Sequence, residues 1–160
     1  MQVRSMLKED WKVVKCIYQE GIDTGIATFQ LSAPEWETWD KSHLKVGRLV
    51  LLENNTIQGW AALSPTSQRE VYKGVCEVSI YIDPQTSGKG FGTLLLQKLI
   101  EESEKHGIWT LQSKIFPQNI ASLVLHKKSG FREVGTREKI GQRKGIWYDN
   151  ILLERRSPLF

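Results

Sequence analysis

Between Val75 and Thr93 the chain passes from a strand period to a glycine-rich loop and then to a helix period, and this sequence of signals limits the fold more than any other. Val75, Glu77, Ser79 and Tyr81 fall on one face of a strand, and Cys76, Val78, Ile80 and Ile82 on the other. Asp83-Pro84 stops it. The loop Ser87-Gly88-Lys89-Gly90-Phe91-Gly92-Thr93 follows, and from Phe91 to His106 leucines recur at helical intervals until Gly107 closes the segment. A helix start leaves backbone N–H groups unpaired at the positive end of its dipole, and glycines let an anion approach them, so the loop is a candidate phosphate cradle. It is not the dinucleotide pattern G-x-G-x-x-G, because Thr93 stands where the third glycine belongs, and nothing fits G-x-x-x-x-G-K-[ST]. No second acidic motif for magnesium accompanies it, which argues against a nucleotide-hydrolysing enzyme. A turn that merely contains glycines is the competing reading.

The rest of the chain reads as alternating helices and strands. Trp11, Val14, Ile17 and Tyr18 give a first helix over Lys8 to Gly21, with Gly21 as its stop. After a loop around Gly25 to Leu31, Ser32-Ala33-Pro34-Glu35 offers a hydroxyl cap, an early proline and a glutamate for a short helix carrying Trp36 and Trp39. Arg48 to Glu53 and Thr56 to Ser64 read as a hairpin turning at Asn54-Asn55. A strand from Trp109 to Phe116 precedes a helix capped by Asn119 and ended by Gly130. Strands at Arg132 to Lys139 and Trp147 to Glu154 complete the order. This is α/β with hairpins at both ends, hence a mixed sheet flanked by helices, and 160 residues make one domain over residues 1–160. A formal charge of +4 without a run of like charge does not imply nucleic acid, and Arg155-Arg156 reads as a solvated end. No apolar run reaches the roughly 18 residues needed to cross a bilayer, so a cytoplasmic protein without membrane contact is expected. Cys16 and Cys76 read as buried free thiols, and with scattered histidines no metal site is expected.

Val78-Ser79-Ile80-Tyr81-Ile82-Asp83-Pro84 followed by Gly88-Lys89-Gly90-Phe91-Gly92 resembles the acetyl-coenzyme A motif of the GNAT N-acetyltransferase superfamily. Asn119-Ile120-Ala121-Ser122 and Leu125-His126-Lys127-Lys128-Ser129-Gly130-Phe131 resemble its last motif, in the right order. A narrower likeness, to the phosphinothricin and methionine sulfoximine acetyltransferase branch, runs from Ala27-Thr28-Phe29 through Arg69, Tyr72 and Glu77 to Gly145-Ile146-Trp147-Tyr148-Asp149. The resemblance implies the GNAT fold with a central mixed, mostly antiparallel twisted sheet, acetyl-CoA as donor, and a homodimer. It implies cofactor contacts at Ser87, Gly88, Lys89, Gly90, Phe91, Gly92 and Thr93. It also implies contacts from Ile80, Tyr81 and Ile82 on a bulged strand with free amides, and from Asn119 at the pantetheine or acetyl region. Ser87 departs from the family, which often has Arg or Gln there; the backbone cradle remains.

Acetyl transfer from a thioester to an amine needs a group to take the amine's proton, a donor to the carbonyl oxygen and a proton for the departing thiolate. Glu77, one strand before the loop, is the candidate base; an exposed strand carboxylate is its alternative. A backbone N–H of the Val75 to Ile82 strand is the candidate oxyanion donor. His126 occupies the place where many superfamily members carry a proton-donating tyrosine, and an imidazole near pKa 6.5 suits that role; a structural helix histidine is its alternative. His43 and His106 read as structural. Arg69 offers paired donors to an anionic acceptor, with an exposed loop cation as its alternative; Tyr72 lies on the same segment and Phe29 is an apolar wall. Trp36, Trp39, Trp60 and Trp109 fit packing, and Trp147-Tyr148-Asp149 fits either the branch pattern or a subunit interface. The expected activity is acetylation of the primary amine of a small amino acid or analogue, of phosphinothricin, methionine sulfoximine or sulfone type. A polyamine, antibiotic or protein N-terminal acceptor, and a non-catalytic acyl-CoA-binding module, are the alternatives.

Overall fold

The computed structural model of the chain describes residues 1–160. The strands are β1 (Gln2–Ser5), β2 (Leu49–Glu53), β3 (Thr56–Pro65), β4 (Val75–Ile82), β5 (Thr110–Ile115), β6 (Arg132–Arg143) and β7 (Ile146–Arg156). The helices are α1 (Trp11–Asp23), α2 (Trp36–Ser42), α3 (Phe91–Lys105) and α4 (Ile120–Lys128). All seven strands form one sheet in the order β1-β2-β3-β4-β5-β7-β6. Only β4 and β5 run parallel, joined by α3 as the crossover; every other pair is antiparallel.

Strand alternation sorts the core into two layers. Leu63 of β3, Cys76 and Val78 of β4 and Leu111 of β5 face α3, whose Leu95, Leu96 and Leu99 are fully buried against them. Trp60 and Ala62 face the other way and meet Val14, Tyr18 and Ile22 of α1 and Trp39 of α2. Trp39 and Trp60 are fully buried, so the tryptophans of this layer are packing residues. Asn54 and Asn55 both have positive φ, which matches the twist of a tight hairpin turn between β2 and β3.

Local expectations differ from the structure at several places. The first helix continues to Asp23, and Gly21 lies inside it: a Cβ there would sit 2.5 Å from the Tyr81 ring, so the glycine brings α1 against β4 and does not end the helix. Residues Lys8–Asp10 form a separate 3-10 turn. Ser32 does not cap α2, which begins at Trp36 with Glu35 at its N-cap and no side-chain cap bond. Cys16 is exposed, because positions 14, 17 and 18 hold the buried stripe of α1; Cys76 is buried, and burial pushes its thiol up to about 11. No helix is long and apolar enough to cross a membrane.

The β4–β5 junction sets up the site. The strands pair only at Val75–Thr110, Cys76–Leu111 and Glu77–Gln112, and then part. Against β3, β4 keeps an unbroken register from Cys76–Pro65 to Ile82–Gly59, so it carries no bulge there, contrary to what the resemblance implies. The free edge arises because the two parallel strands diverge. Thr66 N–H donates to the Val75 carbonyl and Asp83 N–H to the Gln58 carbonyl, which commits the odd-numbered residues of β4 to β3. The backbone groups of Val78, Ile80 and Ile82 therefore face the opening, whereas those of Tyr81 belong to the ladder opposite Trp60.

Candidate active site

A cleft of about 1240 Å³ lies at the gap between β4 and β5 and is lined by residues from both faces of the sheet. On the α3–α4 side it is lined by Ser87, Gly88, Gly90, Phe91, Gly92 and Thr93 of the glycine loop, and by Asn119, Ser122, Leu125 and His126 of α4. Gly88 and Gly90 hold φ of +84° and +81° with nothing within 4 Å of a notional Cβ, so the loop is an open concavity built from residues that only glycine tolerates well. The first helical bond of α3 is Leu94 N–H to the Gly90 carbonyl, which leaves the N–H groups of Phe91, Gly92 and Thr93 at the helix end without intrahelical acceptors. Together with the β4 edge, this arrangement fits a phosphate-bearing ligand with an extended amide arm. The Lys89 side chain is not part of the lining; it pairs with Glu53 at 3.1 Å and lies over the Phe91 ring. Asn119 caps α4, its Oδ1 accepting from Ser122 N–H at 3.2 Å, and lines the cleft as well.

His126 is buried at 1% exposure with its ring edge on Phe131. Its Nδ1–H donates to the Ser122 carbonyl at 2.8 Å, so Nε2 is the bare nitrogen, and it is buried without a partner. Burial holds the imidazole below its ordinary pKa. In this tautomer Nε2 is an acceptor, and it donates to a thiolate only after gaining a proton.

On the α1–α2 side the lining includes Tyr18, Thr28, Phe29, His43, Glu77 and Lys114. Glu77 reaches across the parting strands to Lys114, Oε2 to Nζ at 2.8 Å, with both side chains about one third exposed. Phe29 packs edge-on against Phe116, centroids 4.7 Å apart, and walls the cleft. Tyr81 stacks on Trp60 and lines the cleft with a half-buried side chain; desolvation pushes its hydroxyl pKa up. Arg69 and Tyr72 are not brought to the cleft. They flank and end a 3-10 turn beyond the β3–β4 pairing, where the guanidinium lies over the Tyr72 ring at 5.3 Å and both are exposed.

His43 was expected to be structural, yet it lines the cleft. It follows α2, and the Leu44 N–H bond to the Leu63 carbonyl sets it beside Ser64, the β3 partner of Glu77. Its ring stacks on Trp39 at 4.3 Å, Nδ1 donates to the Trp39 carbonyl, and burial holds its pKa below the ordinary value. Nothing in the local pattern marks it, because its place depends on a contact to β3. Lys114 carried a weak signal, as it shares the polar face of β5 with Gln112.

Both histidines hold their protons less readily in the fold than in the unfolded chain, so the unfolded chain takes up more protons as pH falls through 6.5. Stability is thus expected to be full above this pH and to decline below it, toward the lower folded values. Urea midpoints at pH 7.5 and 5.5 check this: the midpoint should drop on acidification and drop less in His126→Gln, whereas equal drops in the two proteins would contradict it.

The sequence pattern of the Acetyltransferase (GNAT) family matches residues 12–131. A phosphinothricin N-acetyltransferase of Streptomyces coelicolor is 29% identical over 97% of this chain and 95% of its own length. An L-methionine sulfoximine/L-methionine sulfone acetyltransferase of Pseudomonas paraeruginosa is 30% identical over 74% of this chain and 70% of its own. Among solved structures, a GNAT superfamily phosphinothricin acetyltransferase from Sinorhizobium meliloti in complex with AcCoA superposes with a TM-score of 0.86 at 26% identity, covering 97% of this chain and 87% of that one.

Proposed function

Because the chain belongs to the Acetyltransferase (GNAT) family, we propose that its cleft takes acetyl-CoA on the glycine-loop side and a small α-amino acid or analogue, of phosphinothricin or methionine sulfone type, on the Glu77 side. The observation that carries this reading is the single cleft at the β4–β5 gap, which places a phosphate-type cradle on one face and the Glu77–Lys114 pair on the other. Acetyl-CoA, when bound, supplies a thioester carbonyl open to attack by an amine. The β4 edge directs the Ile80 and Ile82 amides into the gap, where they hold the donor's amide arm and polarise its carbonyl oxygen. Glu77 takes the proton of the acceptor's ammonium group, so that the neutral nitrogen forms the new C–N bond as the C–S bond breaks, and the second proton shed by the nitrogen goes to the departing thiolate to leave the amide and free thiol. His126 Nε2 offers an acceptor to an N–H of the donor. Lys114, rather than the remote Arg69, is the cation that meets the acceptor's anionic group. The names of the relatives above agree with this acceptor class. The reaction belongs in the cytoplasm, a reducing compartment that suits an exposed free Cys16.

Thiol release from acetyl-CoA with phosphinothricin, methionine sulfone, spermidine and a short peptide tests the proposal. Release with the first two is expected; release with spermidine or peptide alone would overturn the acceptor assignment.

We further propose a homodimer formed at the β6–β7 end of the sheet. There an edge strand of 12 residues lies beside exposed Val134, Ile140, Ile146 and Trp147. Light scattering is expected to give twice the chain mass for the native protein and the single mass for Ile140→Asp. A native protein at the single mass would contradict this.

A further inference from the structure

His43 and Glu77 present hydrogen-bond acceptors to the same side of the cleft from different elements. Ser64 of β3 stands directly opposite Glu77 of β4, which sets their side chains on one face, about 5 Å apart at Cβ. The 2.8 Å bond from Leu44 N–H to the Leu63 carbonyl docks the end of α2 on the same stretch of β3, and Ser42, His43, Ser64 and Glu77 line the cleft together. Glu77 Oε2 is taken by Lys114, and Oε1 has no partner in the chain. The His43 ring is fixed and its tautomer is set. It stacks on Trp39, and because a carbonyl oxygen only accepts, the Nδ1 that lies 2.9 Å from the Trp39 carbonyl carries the proton. Nε2 is then the bare nitrogen of a half-buried ring, with no partner in the chain and outside the sealed core. Burial, with the Arg48 charge adding to it, keeps the imidazole neutral at pH 7, while the nearby Glu77 charge acts on it in the opposite sense. Two bare acceptors that face one space fit a ligand group with two N–H bonds.

We infer that His43 is a second catalytic contact to the acceptor's amine, its Nε2 accepting one N–H of the nitrogen that Glu77 deprotonates. This rests on the acetyl-transfer reading and deepens it. A nitrogen that has just given a proton to Glu77 has its lone pair aimed at that carboxyl, and it has to turn before it reaches the thioester carbon. With one N–H on His43 and the other on Glu77, the lone pair of the neutral amine points away from both and toward the donor, an attack geometry held by two bonds instead of one. His43 gains no proton in this role, so a neutral acceptor that is not a base can replace it.

The test measures thiol release in the native protein, His43→Phe and His43→Gln, with whichever amine of the panel above reacts fastest. Phenylalanine keeps a ring to stack on Trp39 and lacks an acceptor, while the Ser42 hydroxyl still donates to the Trp39 carbonyl at 2.9 Å. His43→Phe is expected to lower kcat by about 10- to 100-fold, the scale of one hydrogen bond to a reacting group, with KM and acetyl-CoA affinity within a few-fold of native. Glutamine brings an amide oxygen toward the place of Nε2, and His43→Gln is expected to return to within about 5-fold of native kcat. Where His43→Phe does not fold, the smaller His43→Leu gives the same reading. A kcat within about 3-fold of native in the acceptor-free variant would overturn the inference. A folded His43→Gln as slow as His43→Phe would overturn it as well, since His43 would then be taking up a proton. Release with spermidine or peptide alone would overturn the amino-acid acceptor and leave His43 to be judged by the same variants. A native protein that releases no thiol with any amine would overturn the transfer reading. Calorimetric binding of L-methionine sulfone to the CoA-loaded proteins then decides for His43: binding weakened in His43→Phe and regained in His43→Gln would support the contact, and equal binding or none would overturn it.

Discussion

Glu77→Gln is expected to lower kcat for amine acetylation by about 10²- to 10⁴-fold, the range for losing a positioned general base. Acetyl-CoA affinity should stay within a few-fold of native, because the glycine loop lies on the other side of the sheet and the free β4 edge holds the donor through backbone groups that the substitution leaves unchanged. The glutamine keeps the shape of Glu77 and can still contact the cleft, but it cannot take a proton, and its loss of charge frees Lys114 from its 2.8 Å partner. The pH profile separates this from a structural effect. At high pH, where the free amine is abundant without a base, the variant's deficit should shrink. A deficit that is constant across pH, or a kcat within a factor of three of native, would remove Glu77 from the proton path and turn attention to His43, which lines the same side of the cleft.

Gly90→Val should act on the opposite face. Gly90 is the N-cap of α3 with φ +81°, a conformation a β-branched residue adopts only at a cost of about 1–3 kcal/mol. A Cβ there meets nothing within 4 Å, so the strain falls on the loop and its cradle and not on the core. Either the loop keeps its shape and the valine stands where phosphate would approach, or it relaxes and the N–H groups turn away. Both routes weaken acetyl-CoA binding, by about 10- to 100-fold on that energy scale. Calorimetry of acetyl-CoA binding reads this directly, and unchanged affinity would mean that the loop is not the phosphate cradle.

The strand, glycine loop and helix from Val75 to Lys105 were legible because each depends on local signals: a two-residue period, a proline stop, glycines at positive φ and leucines at helical spacing. The Asn119 cap was legible for the same reason. What local pattern could not carry was set by distant partners. Gln2–Ser5 has a single aliphatic residue, Val3, and becomes β1 only because β2 offers it an edge. Gly21 looks like a helix stop until Tyr81 is seen against it. The divergence of β4 and β5, which creates the cleft, lies in no residue type, because it follows from where a parallel pair stops exchanging hydrogen bonds. The branch resemblance and its paired donors point to Arg69 as a substrate ligand, but the residue stands exposed at the start of the 3-10 turn between β3 and β4. His43 gave no local sign, since a histidine after a helix gains meaning only from the cavity it enters.

The central claim is that one cleft joins an acetyl donor to an α-amine, and identification of the product by mass spectrometry tests it most directly. Purified protein, isotopically labelled acetyl-CoA and L-methionine sulfone are incubated together, with a reaction lacking protein as control. Methionine sulfone carrying the labelled acetyl group on its α-nitrogen is expected, formed only with protein and in step with free thiol. Thiol release without acetylated amino acid, or label on the protein alone, would contradict it.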